Sequence, residues 1–359
     1  MTQRILIMAG GTGGHVFPAL AVAQQFKHMN IDVDWMGTSR GIEARLVPAA
    51  GYPLHEISVR GLRGNGVLGW LLAPWRVIKA VLEARAVLRK ISPDAVIGLG
   101  GFASGPGGLA AKLSGIPLLI HEQNAIPGLT NRLLARLANI VMEGFPNSFA
   151  AKVRAEWVGN PVRAEIEQIA APEQRFANRD EAMRLLILGG SLGARSLNTV
   201  LPEALSKLDA NTHVEVRHQC GEKHLEDCQQ AYTQAGVSAR VSAFIDDMAE
   251  AYAWADLVIC RSGALTVAEV SAAGLGAILV PYPYAVDDHQ THNAAMLVEA
   301  GAARLIADNQ LDADKVADLL KHFAENRPAL INMAMAARTV AKAGSAQLIA
   351  SRCLEVANG

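Results

Sequence analysis

The fold is decided by one segment, residues 256–290, which has the sequence DLVICRSGALTVAEVSAAGLGAILVPYPYAVDDHQ. It predicts a buried strand over residues 256–260, a tight turn at 261–263, a helix from Ala264 and a second apolar strand over 277–281. A strand, a helix and a second strand in this order form a βαβ unit. The segment therefore predicts an open α/β sheet, in which ligands bind at the carboxyl ends of the strands.

The start of the helix in this segment has the features of an anion site. The backbone N–H groups of Ala264, Leu265 and Thr266 lack partners within the helix and favour a phosphate or diphosphate. Glu269 lies one turn further along, where a carboxylate could hold a pair of ribose hydroxyls. A Ser-Gly pair before a helix also occurs as a plain turn and cap, and Glu269 alone could be a solvated helix residue.

The composition restricts the classes of protein. A chain of 359 residues is expected to form two domains, and 33 basic against 34 acidic residues give no overall charge that favours nucleic acid. The N-terminal MTQRILIMAGG predicts a first strand and not a signal peptide, and no run of about 18 apolar residues predicts a membrane span. The cysteines show no CxxC spacing, which predicts free thiols in the cytoplasm: Cys220, Cys228, Cys260 and Cys353.

Two similar stretches begin the two halves of the chain. An apolar strand at residues 4–9 precedes GGTGGH and a helix to about Met29, and a second apolar strand at 184–188 precedes GGSLGA and another helix. This repetition predicts two Rossmann-like domains with doubly wound parallel sheets. Further strands are predicted near residues 31–36, 53–58, 94–99, 117–121 and 139–143, and near 213–219, 238–243, 256–260, 277–281 and 302–306.

We expect the domains to cover residues 1–161 and 162–340. Residues 161–183 lack a strong period and predict a linker. Beyond residue 311 the chain is alanine-rich and helical, and we expect the final helix, about 341–359, to pack back on the first domain.

The glycine-rich turns could bring the backbone close to a ligand. The turn at residues 10–14 suits a diphosphate, but no GK[ST] follows it, and Val16 stands where GxGxxG requires glycine. Residues 98–103, GLGGFA, fit GxGxxA, with Glu122 near the distance of a ribose-binding acid. This lone match supports a dinucleotide-dependent oxidoreductase as an alternative, and the same glycines could serve only strand–helix packing.

Polar residues at predicted strand ends are candidates for chemistry. His15 follows the first glycine turn, where it could act as a general base, contact an anion or only start a helix. Residues 121–124, HEQN, close an apolar strand and predict substrate contacts. Arg163 could reach a phosphate or be a plain surface arginine. Two DxD pairs, at 32–34 and 312–314, lie within a strand and at a helix cap, away from the glycine turns, so we predict no metal.

One region predicts a membrane surface. Trp70, Leu71 and Trp75 lie on an apolar stretch interpreted as a loop, which suits the headgroup zone of an anionic membrane. A core helix with a solvated basic face is the alternative. The basic residues around the stretch, opposed only by Glu83, are Arg60, Arg63, Arg76, Lys79, Arg85, Arg89 and Lys90.

Six motifs follow one another along the chain: GGTGGHVFPALAVA, GLGGFASGPGGLAA, HEQNAIPG, GNPVR, GGSLGA and CRSGALTVAE. In this order and spacing they resemble the MurG family, and the resemblance covers essentially the whole chain. The resemblance implies a GT-B fold, with two Rossmann-like domains facing a cleft. It implies transfer of N-acetylglucosamine from UDP-N-acetylglucosamine to lipid I, the undecaprenyl-diphosphate-linked muramoyl-pentapeptide, giving lipid II. It also implies peptidoglycan synthesis at the cytoplasmic face of the inner membrane, a link to cell shape and division, and no cofactor.

The resemblance also assigns site residues. Ile245 would offer backbone groups to uracil, Glu269 a carboxylate to ribose, and Gln290 hydrogen bonds to the sugar. Some relatives carry two adjacent glutamines where this chain has His289 and Gln290, so either residue could contact the sugar. The residues implied around the donor are Thr12, Gly13, Gly14, Asn124, Arg163, Ser191, Ile245, Ala264, Leu265, Thr266, Val267, Ala268, Glu269 and Gln290.

The implied reaction is an inverting displacement through an oxocarbenium-like state. The helix from Ala264, with Ser191 and Arg163, would stabilise the leaving diphosphate in place of a metal. His15 is the first candidate for the base and Glu122 the second. Besides the oxidoreductase, a non-enzymatic nucleotide-binding module is an alternative class, which would leave residues 121–124 and the tryptophans without a use.

Overall fold

The computed structural model describes residues 3–59, 66–177, 179, 182–190 and 193–358, with residues 66–73 and 286 described by their backbone alone. The chain divides into two compact units. Unit 1 contains residues 1–162 and 344–359, and unit 2 contains residues 163–343.

Unit 1 is built on a seven-stranded parallel sheet. Its strands are β1 (Arg4–Met8), β2 (Asp32–Gly37), β3 (Leu54–Glu56), β4 (Ala95–Gly98), β5 (Leu118–Glu122), β6 (Ile140–Glu143) and β7 (Glu156–Trp157). They lie in the order β3-β2-β1-β4-β5-β6-β7. Its first helices are α1 (Gly13–His28), α2 (Glu43–Ala49), α3 (Gly66–Ile91), α4 (Ser104–Leu113) and α5 (Leu129–Leu134).

Unit 2 repeats this architecture with six parallel strands. The strands are β8 (Met183–Leu188), β9 (Val214–Gln219), β10 (Arg240–Ser242), β11 (Leu257–Cys260), β12 (Gly276–Leu279) and β13 (Ala303–Leu305), in the order β10-β9-β8-β11-β12-β13. The helices are α6 (Ala164–Glu167), α7 (Pro172–Phe176), α8 (Arg195–Ser206), α9 (Leu225–Ala235), α10 (Met248–Trp254), α11 (Ala264–Ala273), α12 (His289–Glu299), α13 (Ala313–Glu325) and α14 (Arg327–Thr339). The last helix of the chain, α15 (Ser345–Asn358), packs on α1 and β4 of unit 1.

The central strands are buried on both faces because helices cover both sides of each sheet. Ile5 and Ile7 of β1 belong to a core shared with α1 and α15, whereas Leu6 and Met8 belong to a second core shared with α3 and α4. This arrangement confirms the predicted pair of doubly wound parallel sheets. In each sheet the strand order reverses beside the first strand, between β1 and β4 and between β8 and β11, and such switch points form ligand crevices.

Two sequence predictions about local structure are wrong, and one short strand was missed. Residues 161–183 are not an extended linker, because α6 and α7 lie within them and pack on α11 and α14. The apolar stretch around Trp70 is part of the 26-residue helix α3 and not a loop. The two-residue strand β7 was not predicted. None of the helices within the described segments is both long and apolar enough to cross a bilayer.

Candidate active site

In unit 1, the turns after β1 and β4 are in contact. A Cβ atom at Gly101 would overlap the backbone of Gly10, and Gly101 has a φ of 89°. A Cβ atom at Gly100, where φ is 97°, would lie 2.5 Å from Cδ2 of His15. Glycine at these two positions therefore allows one turn to pack on the other and leaves room for the imidazole.

His15 is half-buried and held in one tautomer. Its Nδ1 lies 3.2 Å from the Gly10 carbonyl oxygen and 3.4 Å from Oγ1 of Thr12. Because a carbonyl oxygen only accepts, Nδ1 carries the hydrogen and Nε2 keeps its lone pair. Burial lowers the pKa of His15, and this effect outweighs the opposing charges of Glu122 and Glu43. The imidazole is therefore neutral near pH 7, the form that accepts a proton.

Glu43 also shapes this turn, and no feature of the sequence predicts that role. Its carboxylate is fully buried and accepts hydrogen bonds from the N–H of Gly11 (2.8 Å) and from the N–H (3.1 Å) and hydroxyl (2.7 Å) of Thr38. It fills the space that a side chain at Gly10 would need. The first glycine turn is thus fixed by a buried negative charge 32 positions away in the chain.

Glu122, the second candidate for the base, is buried and fully engaged. It accepts from the backbone N–H of Asn124 (3.0 Å) and Gly128 (3.1 Å). It also accepts from the side-chain amides of Asn124 (3.2 Å) and Asn131 (2.9 Å). Both carboxylate oxygens hold the loop 123–128 in shape, which favours a role in placing Asn124 over a role in proton transfer.

The prediction that residues 121–124 all serve as substrate contacts is wrong for His121 and Gln123. Both are buried, because chain segments from β4 and after β7 cover the end of β5. Nε2 of His121 donates to the Gly159 carbonyl (2.8 Å), and its Nδ1 accepts from Nε2 of Gln123 (3.2 Å). Burial lowers the pKa of His121 to about 4. These two residues are therefore part of the interior.

In unit 2, the N-terminus of α11 lies at the end of β11, beside the switch point. The N-cap, Gly263, has extended backbone angles and no side chain to cap the helix. The first backbone bond of α11 runs from the N–H of Val267 to the Gly263 carbonyl (2.9 Å). The preceding N–H groups, at Ala264, Leu265 and Thr266, are the unused donors of the first turn, as the sequence predicted. Val267 itself is buried in the core.

Two predicted donor residues, Arg163 before α6 and Glu269 on α11, are in contact. Nη2 of Arg163 lies 3.1 Å from Oε1 of Glu269, and the hydroxyl of Tyr252 lies 3.1 Å from Oε2. Burial raises the pKa of Glu269, against the opposing effects of Arg163 and Tyr252. The Arg163 side chain is 38% exposed.

The second glycine turn is joined to the loop before α10. Nε2 of Gln219 donates to the carbonyls of Gly190 (3.0 Å) and Ala243 (2.9 Å), and the N–H of Gly190 donates to Oε1 of Gln219 (3.1 Å). Ile245 is half-buried in that loop. Ser191 lies outside the described residues.

The remaining predicted donor residue, Gln290, lies in the first turn of α12, after the loop that follows β12. Oε1 of Gln290 accepts from the N–H of Tyr282 (2.8 Å), and Gln290 and His289 are both half-buried. Asp287 and Asp288 have φ values of 54° and 50°, a left-handed conformation that non-glycine residues seldom adopt.

Arg261 was not predicted as a site residue, although it stands in the motif CRSG. Its Nη1 donates to the carbonyls of Val280 and Pro281 (3.1 Å each) and pairs with Oδ1 of Asp308 (2.5 Å). Its Nη2 donates to Oγ of Ser196 (3.0 Å). It therefore ties the end of β12 to α8.

The predicted membrane region is partly described. Trp75 is 72% exposed and Leu82 is 60% exposed, and Arg76 and Lys79 are exposed beside them. The alternative of a core helix with a solvated basic face holds for the C-terminal part of α3, where Ala84, Leu88 and Ile91 lie in the core, whereas Trp75 and Leu82 are exposed apolar side chains. Trp70 and Leu71 lie in the part of α3 whose side chains are not described, and Arg60 and Arg63 lie outside the described residues.

Metal ligands do not cluster in the described segments. No group of three or more histidine, cysteine, aspartate or glutamate side chains is placed there to hold a metal ion. The two DxD pairs have structural roles: Asp34 pairs with Nε2 of His55 at 2.6 Å, and Asp312 caps α13 through the N–H groups of Asp314 and Lys315.

Comparison with known proteins gives full-length matches. Residues 5–143 match the glycosyltransferase family 28 N-terminal domain, and residues 184–350 match the glycosyltransferase family 28 C-terminal domain. A protein of Nitrosococcus oceani is 54% identical over 359 residues, all of both chains. A protein of Aeromonas hydrophila is 54% identical over 359 residues, which cover 100% of this chain and 98% of that one. Both are named UDP-N-acetylglucosamine--N-acetylmuramyl-(pentapeptide) pyrophosphoryl-undecaprenol N-acetylglucosamine transferase.

A solved structure agrees with these matches. The crystal structure of MurG from Acinetobacter baumannii superposes with a TM-score of 0.85 at 41% identity, over 98% of this chain and 99% of that one. Together with the two parallel sheets, this confirms the implied GT-B fold. The chain belongs to the MurG family of N-acetylglucosamine transferases, within glycosyltransferase family 28.

Proposed function

We propose that this chain transfers N-acetylglucosamine from UDP-N-acetylglucosamine to the 4-hydroxyl of lipid I, giving lipid II for peptidoglycan synthesis. The observation that carries the proposal is the 54% identity to a transferase named for these substrates, in an alignment that covers the full length of both chains. The geometry of α11 supports it, because the helix has unused amides in its first turn and a carboxylate, Glu269, that pairs with Arg163.

Unit 2 is the donor side in this proposal. The N–H groups of Ala264 and Leu265 bind the diphosphate, and the dipole of α11 and the guanidinium of Arg163 stabilise its charge as UDP leaves. Glu269 accepts hydrogen bonds from the ribose hydroxyls. Ile245 offers its backbone to uracil, and Gln290 or His289 binds the sugar. Ser191, Thr266 and Ala268 complete the donor set, whereas Val267 packs in the core and makes no side-chain contact with the donor.

Unit 1 is the acceptor side. Nε2 of His15 removes the proton from the muramoyl 4-hydroxyl as that oxygen attacks the anomeric carbon, with inversion to a β-linkage. The lowered pKa keeps the imidazole ready for this step. Asn124, held by Glu122, and the turn at Thr12, Gly13 and Gly14 contribute contacts to the donor sugar.

The same unit carries the membrane contact. The exposed Trp75, Arg76 and Lys79 suit the anionic cytoplasmic face of the inner membrane, where a peripheral protein meets its lipid-linked acceptor. Trp70 and Leu71 precede them on the same helix. Through its product the enzyme contributes to cell shape and division.

Incubation with UDP-N-acetylglucosamine and a lipid I analogue tests the proposal. We expect UDP release and a β-linked disaccharide product, with no NAD binding in calorimetry. NAD binding without transfer would support the oxidoreductase. UDP-sugar binding without transfer, in the presence of anionic lipid, would support a non-enzymatic nucleotide-binding module.

A further inference from the structure

A buried tyrosine contacts the carboxylate proposed to bind ribose. Tyr252 is 1% exposed and lies on α10, and its hydroxyl donates to Oε2 of Glu269 on α11 over 3.1 Å. A buried tyrosine hydroxyl requires a polar partner, and a bond to an ionised group is among the stronger hydrogen bonds in proteins. The pair is therefore a specific connection between two helices.

The carboxylate of Glu269 is held at both oxygens. Arg163, the N-cap of α6, binds Oε1 at 3.1 Å, while Tyr252 binds Oε2 from the other side. Helix α6 packs on both α10 and α11, which fixes the two donors relative to the acceptor. Each carboxylate oxygen accepts more than one hydrogen bond, so one lone pair on each remains for a ligand. A carboxylate held in this way presents two acceptors in one plane, which matches the two adjacent hydroxyls of a ribose.

We infer that Tyr252 is a positioning residue of the transferase, which orients Glu269 toward the ribose hydroxyls of the donor. The inference rests on the proposed function, because it requires a UDP-sugar at this site. Tyr252 does not touch the donor; it acts through the carboxylate.

The charges around Glu269 add a dependence on pH. The titratable groups facing it are Arg163, Tyr252 and Cys260 at the end of β11. Burial raises the pKa of Glu269, and the bonds from Arg163 and Tyr252 lower it. Loss of the tyrosine hydroxyl therefore raises the pKa further, so that Glu269 takes up a proton at a higher pH and loses acceptor capacity for ribose.

The test compares the affinities of UDP and 2′-deoxy-UDP by calorimetry. We expect the wild type to prefer UDP about tenfold, the effect of one hydrogen bond to a charged group. Tyr252→Phe should weaken UDP binding about tenfold, leave 2′-deoxy-UDP within about twofold, and shift the acid limit of UDP binding to higher pH. Tyr232→Phe is the matched control, since that buried hydroxyl in the same unit bonds Nδ1 of His218 (3.0 Å) instead.

A double-mutant cycle separates positioning from folding. In a Glu269→Ala background, Tyr252→Phe should change UDP affinity less than about twofold. An equal loss in both backgrounds, or a Tyr252→Phe variant that keeps the wild-type preference for UDP, would overturn the inference. Failure of the wild type to bind either nucleotide would instead refute the proposed function, and this inference with it.

Discussion

The glycine turns after β1 and β8 share one backbone feature but have different surroundings. Gly11 and Gly190 both have a positive φ, 87° and 79°. In unit 1 the N–H of Gly11 donates to the buried carboxylate of Glu43 (2.8 Å). In unit 2 the N–H of Gly190 donates to the neutral amide of Gln219 (3.1 Å). The same kind of glycine turn can therefore be bonded to a negatively charged side chain, as in unit 1, or to a neutral one, as in unit 2.

This difference divides the chemistry between the units. The negative charge of Glu43 compensates the partial positive charge at the N-terminus of α1, and the titratable His15 lies in the first turn of that helix. In unit 2 the proposed anion site is instead the start of α11, where the first turn contains no acidic residue. We infer that proton transfer belongs to unit 1 and diphosphate binding to unit 2. The following experiments test that division, from the largest expected effect to the smallest.

Removal of the imidazole should have the largest effect. We expect His15→Ala to lower kcat about 10²–10⁴-fold, the usual contribution of general acid–base catalysis, and to leave UDP-N-acetylglucosamine affinity nearly unchanged. Steady-state kinetics and calorimetry measure the two quantities. His28→Ala, an exposed histidine at the other end of α1, is the control.

Two other results would redirect the assignment. If His15 contacts the diphosphate of the acceptor, the substitution raises chiefly the acceptor KM. If kcat scarcely changes and the acid limb of the pH–rate profile persists, His15 is not the base, and Glu122 becomes the residue to test.

In unit 2, substitution of Glu269 should affect donor affinity, the quantity that the His15 substitution leaves nearly unchanged. Glu269→Ala should weaken UDP-sugar binding by about 1.5–3 kcal/mol, the range for hydrogen bonds to a charged group. Calorimetry measures the affinity, and Glu250→Ala, an exposed acid on α10, is the control. An unchanged donor affinity would remove Glu269 from the site.

Each unit also contains a buried neutral histidine, which predicts sensitivity to acid. Burial lowers the pKa of His121 in unit 1 to about 4 and that of His218 in unit 2 to about 3. The unfolded chain takes up these protons below about pH 6.5, so stability is complete above that pH and falls as the pH drops toward the folded values. At pH 5 each histidine should lower the unfolding free energy of its unit by about 2 kcal/mol.

Urea unfolding of the wild type and of His218→Gln at pH 7 and pH 5 measures this effect. The substitution should reduce the decrease in the unfolding free energy of unit 2 between pH 7 and pH 5. The decrease for unit 1 should stay the same. A variant with the full wild-type loss in both units would contradict the assignment.

Membrane binding should change by a smaller amount at each residue. The Trp70→Ala/Trp75→Ala variant should bind anionic vesicles more weakly, and added salt should weaken the wild type, since each basic residue near the surface contributes about 1 kcal/mol. Sedimentation with anionic vesicles measures binding, with zwitterionic vesicles as the control. Equal partitioning of variant and wild type would count against this surface.

Chelation should have no effect. Transfer is expected to survive EDTA, because the amides of α11 and Arg163 can stabilise the charge that a cation stabilises elsewhere. Activity assays with and without added magnesium or manganese measure this. Strict dependence on either ion would disprove the metal-free mechanism.

The sheets could be predicted because their signals are local. Apolar strands such as β1 and β11 are followed at once by glycine turns, and both features are visible in a few consecutive residues. The stretch that begins α3 was misjudged because Gly69 and Pro74 interrupt an apolar run in the manner of a loop. With only two residues, β7 is too short to show a period.

The site was predictable only where a motif carries it. Ala264 and Leu265 follow from the turn before α11, but Glu43 and Tyr252 act through contacts between distant parts of the chain. Tyr252 has the pattern of an ordinary core residue on an amphipathic helix. Glu122 was visible as a polar residue at a strand end, yet the four hydrogen bonds that occupy it depend on the path of the following loop.

The position of α15 has a consequence for synthesis on the ribosome. Ile349 and Cys353 of this helix are fully buried in the core that contains Ile5 and Ile7. All of unit 2 is translated before α15, so the second half of the chain can finish folding while the surface of α1 and β4 that α15 covers is still exposed. Nascent chains should therefore expose this apolar surface until α15 emerges. Unit 1 is begun first but is completed after unit 2.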